Sequence, residues 1–216
     1  MGHPSSITSK AFELSARERL TEYLSRGGKG AGKGKIVALT PDASTREYFR
    51  VPHGRATAIA AVYPEPFDPE IHPFLDVTRL FADAGLPVPK ILDVDALNGI
   101  ILQEDLGDRQ LGAVLETAAD DEREAFTERA VVLIAEIQAV TQAAFERNSI
   151  ASRLAFDEVK LSWELDFFCQ HYFKSLCKEE LKHGEEAELR AELNDIAAEL
   201  AARPRVLCHR DFHAAN

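Results

Sequence analysis

Cysteine is scarce in this chain. Cys169, Cys177 and Cys208 are odd in number and show no CxxC spacing, which argues against a disulfide framework or a zinc site. Reduced thiols are the rule in the cytosol. Long apolar runs are missing as well, since none reaches the ~18 residues of a membrane span. The opening Met1-Gly2-His3-Pro4-Ser5-Ser6 lacks the charged-then-apolar layout of a signal peptide. These absences predict a cytoplasmic protein with no membrane partner. A basic stripe is also absent: the net charge is −11, with +5 in residues 1–60 and −16 in the remainder. An acidic second part cannot replace phosphate counterions, so no nucleic-acid partner is expected. A neutral or cationic small molecule suits it better. What is present, 45% hydrophobic and 28% charged residues in 216, is ordinary for a globular chain that buries a core.

Apolar periodicity divides the chain. Residues 11–26 read as an amphipathic helix, followed by the Gly-rich linker 27–35. Ile36–Leu39, Glu47–Val51 and Thr57–Tyr63 read as strands, and residues 69–84 as a helix stopped by Gly85, Pro87 and Pro89. Ile91–Val94 and Ile100–Gln103, split by Asn98-Gly99, read as a hairpin. Beyond Gly107 the pattern is helical. Phe126, Ala130, Leu133, Ile134, Ile137 and Val140 predict one buried stripe; residues 157–181 and 185–202 predict two more helices. Val206-Leu207-Cys208 reads as a short buried strand. The predicted class is α+β: a β-rich part over 1–103, a connector at 104–108, and a helical part over 109–216. Unlike parts joined at a short connector predict a cleft between them, a common ligand location.

The chemistry is concentrated in the last eight residues, His209-Arg210-Asp211-Phe212-His213-Ala214-Ala215-Asn216. The spacing H-R-D-x-x-x-x-N is the signature of a kinase catalytic loop. Phosphoryl transfer needs a carboxylate to take the proton of an attacking hydroxyl, and a hard oxygen ligand for Mg²⁺. Asp211 suits the first role and the Asn216 side-chain oxygen the second. A rival reading makes His209, Asp211 and His213 a metal site, because alternate residues of an extended segment share a face. Gly27-x-x-x-x-Gly32-Lys33 copies part of a P-loop, but Gly34 stands where the Mg²⁺-binding Ser or Thr belongs, and a helix precedes it.

Three stretches carry a family resemblance: 41–51 (Pro-Asp-Ala-Ser-Thr-Arg-Glu-Tyr-Phe-Arg-Val), 102–108 (Leu-Gln-Glu-Asp-Leu-Gly-Asp) and the terminal run. The chain resembles the aminoglycoside phosphotransferase and choline-kinase-like group, a small-molecule branch of the protein-kinase-like fold. Within it the likeness is greatest to bacterial sugar kinases that phosphorylate the anomeric hydroxyl of N-acetylmuramate and N-acetylglucosamine. The resemblance implies a two-lobe fold that uses ATP and Mg²⁺ to phosphorylate a hydroxyl of a small molecule, with an amino sugar as first choice. It implies that Ala43, Ser44, Thr45 and Arg46 cover the nucleotide phosphates, and that the Glu104 carbonyl and Leu106 N–H meet the adenine edge. The aromatic residues Trp163–Phe173 would wall the acceptor pocket or pack in the core.

Two departures qualify the pattern. The strand Ala58–Tyr63 has no lysine to hold the phosphates, a feature the resembling sugar kinases share, and Arg46 or Arg50 is the expected substitute. The strand that carries a second Mg²⁺-binding Asp in kinases would lie past Asn216, so the 216 residues alone are expected to have little activity. The alternatives are a non-catalytic nucleotide-binding or scaffold module, or the same chemistry on an aminoglycoside or choline-like acceptor.

Overall fold

The structure, a computed structural model, describes residues 14–27, 32, 34–40, 45–178 and 181–215. Ala43, Ser44 and Asn216, named above as candidate site residues, lie outside the described residues. Two compact units divide the chain. One runs to Glu136 and takes in the segment from His209 onward; the other is Ile137–Cys208.

The first unit is built on an antiparallel sheet of five strands: β1 (Val37–Ala38), β2 (Glu47–His53), β3 (Ala56–Val62), β4 (Ile91–Asp95) and β5 (Ile100–Glu104). Their spatial order is β1-β2-β3-β5-β4. β2 and β3 meet through the two-residue turn Gly54-Arg55, with His53 opposite Ala56. Gly54 at φ +60° supplies the positive dihedral that a tight hairpin requires at its first central position. Once that turn sets the register, alternation decides the faces. Phe49, Ala60 and Leu102 line up across the sheet, as do Val62 and Ile100, and all are buried on one face with Val51 and Ala58. The opposite face carries Tyr48, Arg50, Ile59, Ala61, Ile101 and Gln103.

Helix α1 (Ala16–Ser25) covers the first face with Ala16, Leu20 and Tyr23. It starts at Ser15, whose hydroxyl accepts the Glu18 N–H while the Glu18 carboxylate accepts the Ser15 N–H, a reciprocal cap. Two polar contacts pin it. Arg19, buried, donates to the Asn98 carbonyl (2.5 Å) and the Tyr63 carbonyl (2.9 Å), and the Tyr23 hydroxyl donates to Asp93 (2.7 Å). Burial and the Asp93 carboxylate push the Tyr23 phenol above its ordinary value. α2 (Pro73–Asp83) opens with proline at its first position, where no N–H is needed, and buries Leu75, Thr78 and Leu80. The Gly-rich stretch is not wholly a free linker: Gly32 N–H donates to the Pro52 carbonyl, and a Cβ on Gly34 would meet Pro52 Cγ at 2.6 Å.

The helical residues follow as α3 (Leu111–Thr117), α4 (Asp120–Ala139), α5 (Thr141–Glu146), α6 (Ile150–Arg153), α7 (Glu158–Cys169), a π-helical turn (Gln170–Cys177) and α8 (His183–Ala201). Three expectations are corrected. Of the α4 stripe and its extension only Ile137 and Val140 are buried, while Phe126 and Ile134 are exposed. The helix expected over 157–181 changes to i→i+5 pairing at Gln170 and stops at Lys178, which takes φ +56°. Val206–Cys208 joins no sheet among the described residues, and of the three only Leu207 is buried. Periodicity marks which residues share a face, but another element must cover that face before it becomes core.

Among the described residues no helix is long and apolar enough to cross a membrane. Gly99 offers a direct check of the sheet end that α1 grips. It has φ +68°, and an added Cβ would lie 2.9 Å from both the Tyr63 and Glu65 carbonyls. Gly99→Ala is expected to lower the unfolding free energy by about 1–3 kcal/mol, read as a shift in the denaturant midpoint.

Candidate functional site

The connector begins where β5 ends. Glu104, opposite Ala58, closes the β3–β5 pairing, and its N–H donates to the Lys90 carbonyl (2.8 Å) while its carboxylate accepts the Lys90 N–H (3.1 Å). Asp105 comes next, its side chain 7% exposed. One carboxylate oxygen accepts from Arg50 Nε (2.6 Å) and the Thr57 hydroxyl (2.6 Å); the other accepts from Arg50 Nη2 (3.1 Å) and the Gly107 N–H (3.0 Å). Arg50 also forks onto Asp108, at 2.9 and 2.7 Å. Side chains from β2 and β3 thus hold a connector far away in sequence. Leu106 lies inside the small ring that Asp105 closes onto Gly107, and its side chain is exposed.

The electrostatics follow from this geometry. The Arg50 guanidinium, with help from Thr57 and the Gly107 N–H, holds the Asp105 carboxyl down at about 2, and Arg50 also lowers Asp108. Asp108 and Asp105 together raise Arg50 above its ordinary value. One cation facing two carboxylates leaves the cluster with a net charge of about −1. Arg50 is therefore committed to the connector, which weakens its expected role as the substitute for the absent strand lysine.

Arg46 occupies the other end of β2. Its guanidinium stands 5.6 Å from the Tyr48 ring centre and 5.5 Å from that of Tyr63, and Nη1 donates to the Tyr63 hydroxyl at 3.3 Å. His72 packs edge-on against Tyr63 at 4.7 Å, and burial with the charge of Arg46 lowers its pKa. Thr45 precedes this cluster as an exposed bend. Arg46 and Arg50 fall on one side of the strand, separated by roughly 13 Å at the usual rise per residue. Where a kinase strand would present lysine, the same face carries Ile59 and Ala61, both buried.

The terminal loop belongs to the first unit. The Ala214 carbonyl accepts the Gly112 N–H at 2.6 Å, and the Ala215 carbonyl accepts from Gln110 Nε2 at 2.6 Å. The loop is thereby tied to the chain immediately past Asp108. A Cβ on Gly112 would come within 3.2 Å of the Ala214 oxygen, so the close approach favours glycine there. Arg210 has φ +72°, an uncommon conformation for a residue with a side chain, directly before Asp211. His213 Nδ1 accepts the Ala215 N–H (3.2 Å), so its proton sits on Nε2, which lies 3.2 Å from the Asp211 carboxylate. His209 packs edge-on against Phe212 at 5.4 Å, a bracing contact. Among the described residues no group of three His, Cys, Asp or Glu side chains could hold a metal ion, so His209, Asp211 and His213 do not form the rival metal site.

The sequence model of the phosphotransferase enzyme family matches residues 35–216. The chain belongs to that family. Its α+β architecture is the family's kinase-like fold. Among relatives, the chain is 30% identical over 195 residues to the N-acetylmuramate/N-acetylglucosamine kinase of Pseudomonas aeruginosa, covering 90% of this chain and 54% of that protein. It is 28% identical to the protein of the same name from Caulobacter vibrioides, covering 94% and 63%, and 24% identical to that of Neisseria meningitidis, covering 84% and 52%. The chain spans little more than half the length of these curated relatives.

Within this member of the family, sequence reasoning overlooked Asp105, Asp108, Thr57 and Gln110. The available signal was the placement of Arg50 two strand periods from Arg46, facing a run with two carboxylates. In the second unit, α7, the π-helical turn and α8 border a cavity whose lining includes Asp166, Lys174 and Arg190; of the aromatic group only Phe173 reaches it. Trp163, Phe167, Phe168 and Tyr172 are exposed, with Phe168 and Tyr172 stacked at 5.2 Å, so the core role allowed for these rings does not hold.

The Asp105 pairing has a pH signature. Its folded-state value of about 2 lies below the ordinary 3.8, so its stabilisation is complete above about pH 4 and fades as the pH falls from there toward 2. Asp105→Asn is expected to lose stability at pH 6 and to show a shallower decline on acidification. Denaturant midpoints at pH 6 and pH 3 check this.

Proposed function

We propose that the protein is a small-molecule kinase that transfers the γ-phosphoryl group of ATP to a hydroxyl of an amino sugar. One observation supports this above the others: the loop carrying Asp211 is fastened by Gly112 and Gln110 to the chain just past the connector, in a protein of the phosphotransferase family. The relatives' shared name, N-acetylmuramate/N-acetylglucosamine kinase, supports an amino sugar as acceptor. Cytoplasmic residence belongs to the same reading, where ATP and sugar acceptors are available.

In this reading the Asp211 carboxylate accepts the proton of the acceptor hydroxyl as that oxygen bonds to the γ-phosphorus. The bond from the γ-phosphorus to the bridging oxygen breaks and ADP leaves. The Nε2–H of His213 orients the Asp211 carboxylate. Asn216 contributes a hard oxygen for Mg²⁺, whose chemistry is to neutralise phosphate charge. Ala43, Ser44 and Thr45 cover the phosphates with backbone N–H groups, and Arg46 supplies a cation at the same end of the sheet. The Glu104 carbonyl and Leu106 N–H meet the base edge. The protein fits adenine in one further respect. Gln103 Oε1, one residue before the connector, is buried and finds no hydrogen-bond partner among the described residues, so it can accept from an exocyclic amino group.

A non-catalytic nucleotide-binding role is the second reading, favoured by Ile59 and Ala61 standing where a kinase strand carries its cation. Turnover separates the two. In the complete gene product, transfer of labelled γ-phosphate to N-acetylglucosamine or N-acetylmuramate is expected, with Asp211→Asn lowering kcat by roughly 10²–10⁴-fold while ATP affinity persists. Phosphorylation of an aminoglycoside or choline in place of the sugars would reassign the acceptor. No turnover on any hydroxyl, with ATP bound, would favour the second reading. Arg46→Ala is expected to raise the KM for ATP by about tenfold, and an unchanged KM would remove Arg46 from the phosphate site.

A further inference from the structure

We infer that Arg50 and Asp105 form a brace that positions the connector backbone for recognition of the nucleotide base, making them positioning residues for base selectivity rather than for phosphate binding. This rests on the kinase reading above, since only that reading assigns the Leu106 N–H to the base.

Four features of the geometry converge. The Asp105 carboxylate accepts four hydrogen bonds, two from Arg50 and one each from Thr57 and Gly107, so both oxygens are fully engaged. The contact to Gly107 closes a ring over Leu106, fixing the orientation of the peptide whose N–H would read the base. Gly107 then turns the chain away at φ +83°. The contacts to Arg50 and Thr57 reach two different strands, so the peptide is held relative to the whole sheet rather than to its neighbours. Asp108, with a side chain 80% exposed, adds a second carboxylate on the outer side of Arg50 and contributes less, because water competes there.

A surface ion pair would not carry this argument. Asp105 is 7% exposed, so removing Arg50 leaves its carboxylate with only the Thr57 and Gly107 donors, and removing Asp105 frees the connector at that point from both strands. The charge balance also decides which part of a nucleotide the brace serves. With two carboxylates around one guanidinium, the cluster repels phosphate and leaves that end to Arg46. Lysine at position 50 would keep the charge but lose the planar fork that engages both carboxylates.

The test is calorimetric titration of the complete gene product with ATP, ADP and tripolyphosphate, alongside the ratio of ATP to GTP affinity. In Arg50→Met and Asp105→Asn, the Kd for both ATP and ADP is expected to rise about tenfold, with tripolyphosphate affinity unchanged within about twofold. The preference for ATP over GTP should shrink in parallel, and at saturating ATP kcat should stay near that of the unaltered protein. Arg50→Lys should restore little of the affinity. Should either charge-removing variant fail to fold, Thr57→Val decides, with an expected rise of about threefold for ATP and ADP alone. Unchanged adenine-nucleotide affinity in a folded variant would overturn the inference and leave the kinase reading intact, as would an equal weakening of ATP and tripolyphosphate. Absence of ATP binding by the unaltered protein would overturn the kinase reading itself.

Discussion

The register of three antiparallel strands governs the rest. With His53 opposite Ala56 and Ala58 opposite Glu104, the strand ends fall so that Arg50, Thr57 and Asp105 converge. A slip of one residue in β2 would turn Arg50 into the face that α1 buries and expose Phe49 and Val51 in its place. The hydrophobic pattern therefore guards the ion pairs: burial of Phe49, Val62, Ile100 and Leu102 against Leu20 makes any other register costly. The polar cluster in turn extends the sheet's order beyond the last ladder residue into the connector.

Charge is distributed unevenly along the sheet. Arg46, bordered by the faces of Tyr48 and Tyr63, lies at the end of β2 that leads from residues 41–45. Aromatic faces stabilise a cation through their quadrupole. Arg50, in the middle of β2, is surrounded by carboxylates. Two arginines on one strand face thus have unlike electrostatic character, decided wholly by their neighbours. The absent strand lysine fits this division, because Ile59 and Ala61 provide packing where a cation would otherwise be needed.

The terminal loop depends on a different kind of contact. Its position comes from two backbone carbonyls, Ala214 and Ala215, gripped by Gly112 and Gln110. The Asp211 side chain is exposed in this loop. The positive φ of Arg210 and the contact with His213 Nε2 aim the carboxylate. Such local strain beside a reactive group is common where structure is organised for chemistry.

Much of the sheet was legible beforehand. Strand positions, the turn residues Asn98-Gly99, and the α1 and α2 boundaries within about five residues follow from alternation, glycine placement and proline stops. The H-R-D-x-x-x-x-N run was legible as a motif, because it sets a carboxylate five residues before an amide. Less visible was the role of Arg50, which by composition alone is a free cation near a phosphate site. The partial exposure of the α4 stripe, the π-helical turn at Gln170 and the lack of a sheet partner for Val206–Cys208 among the described residues were equally hidden. Sequence by itself determined periods, faces and turn sites, because these follow from local sterics and residue type. Only the tertiary structure decided which faces are covered and which charges are paired, because burial and ion pairing require partners that the chain brings together across dozens of residues.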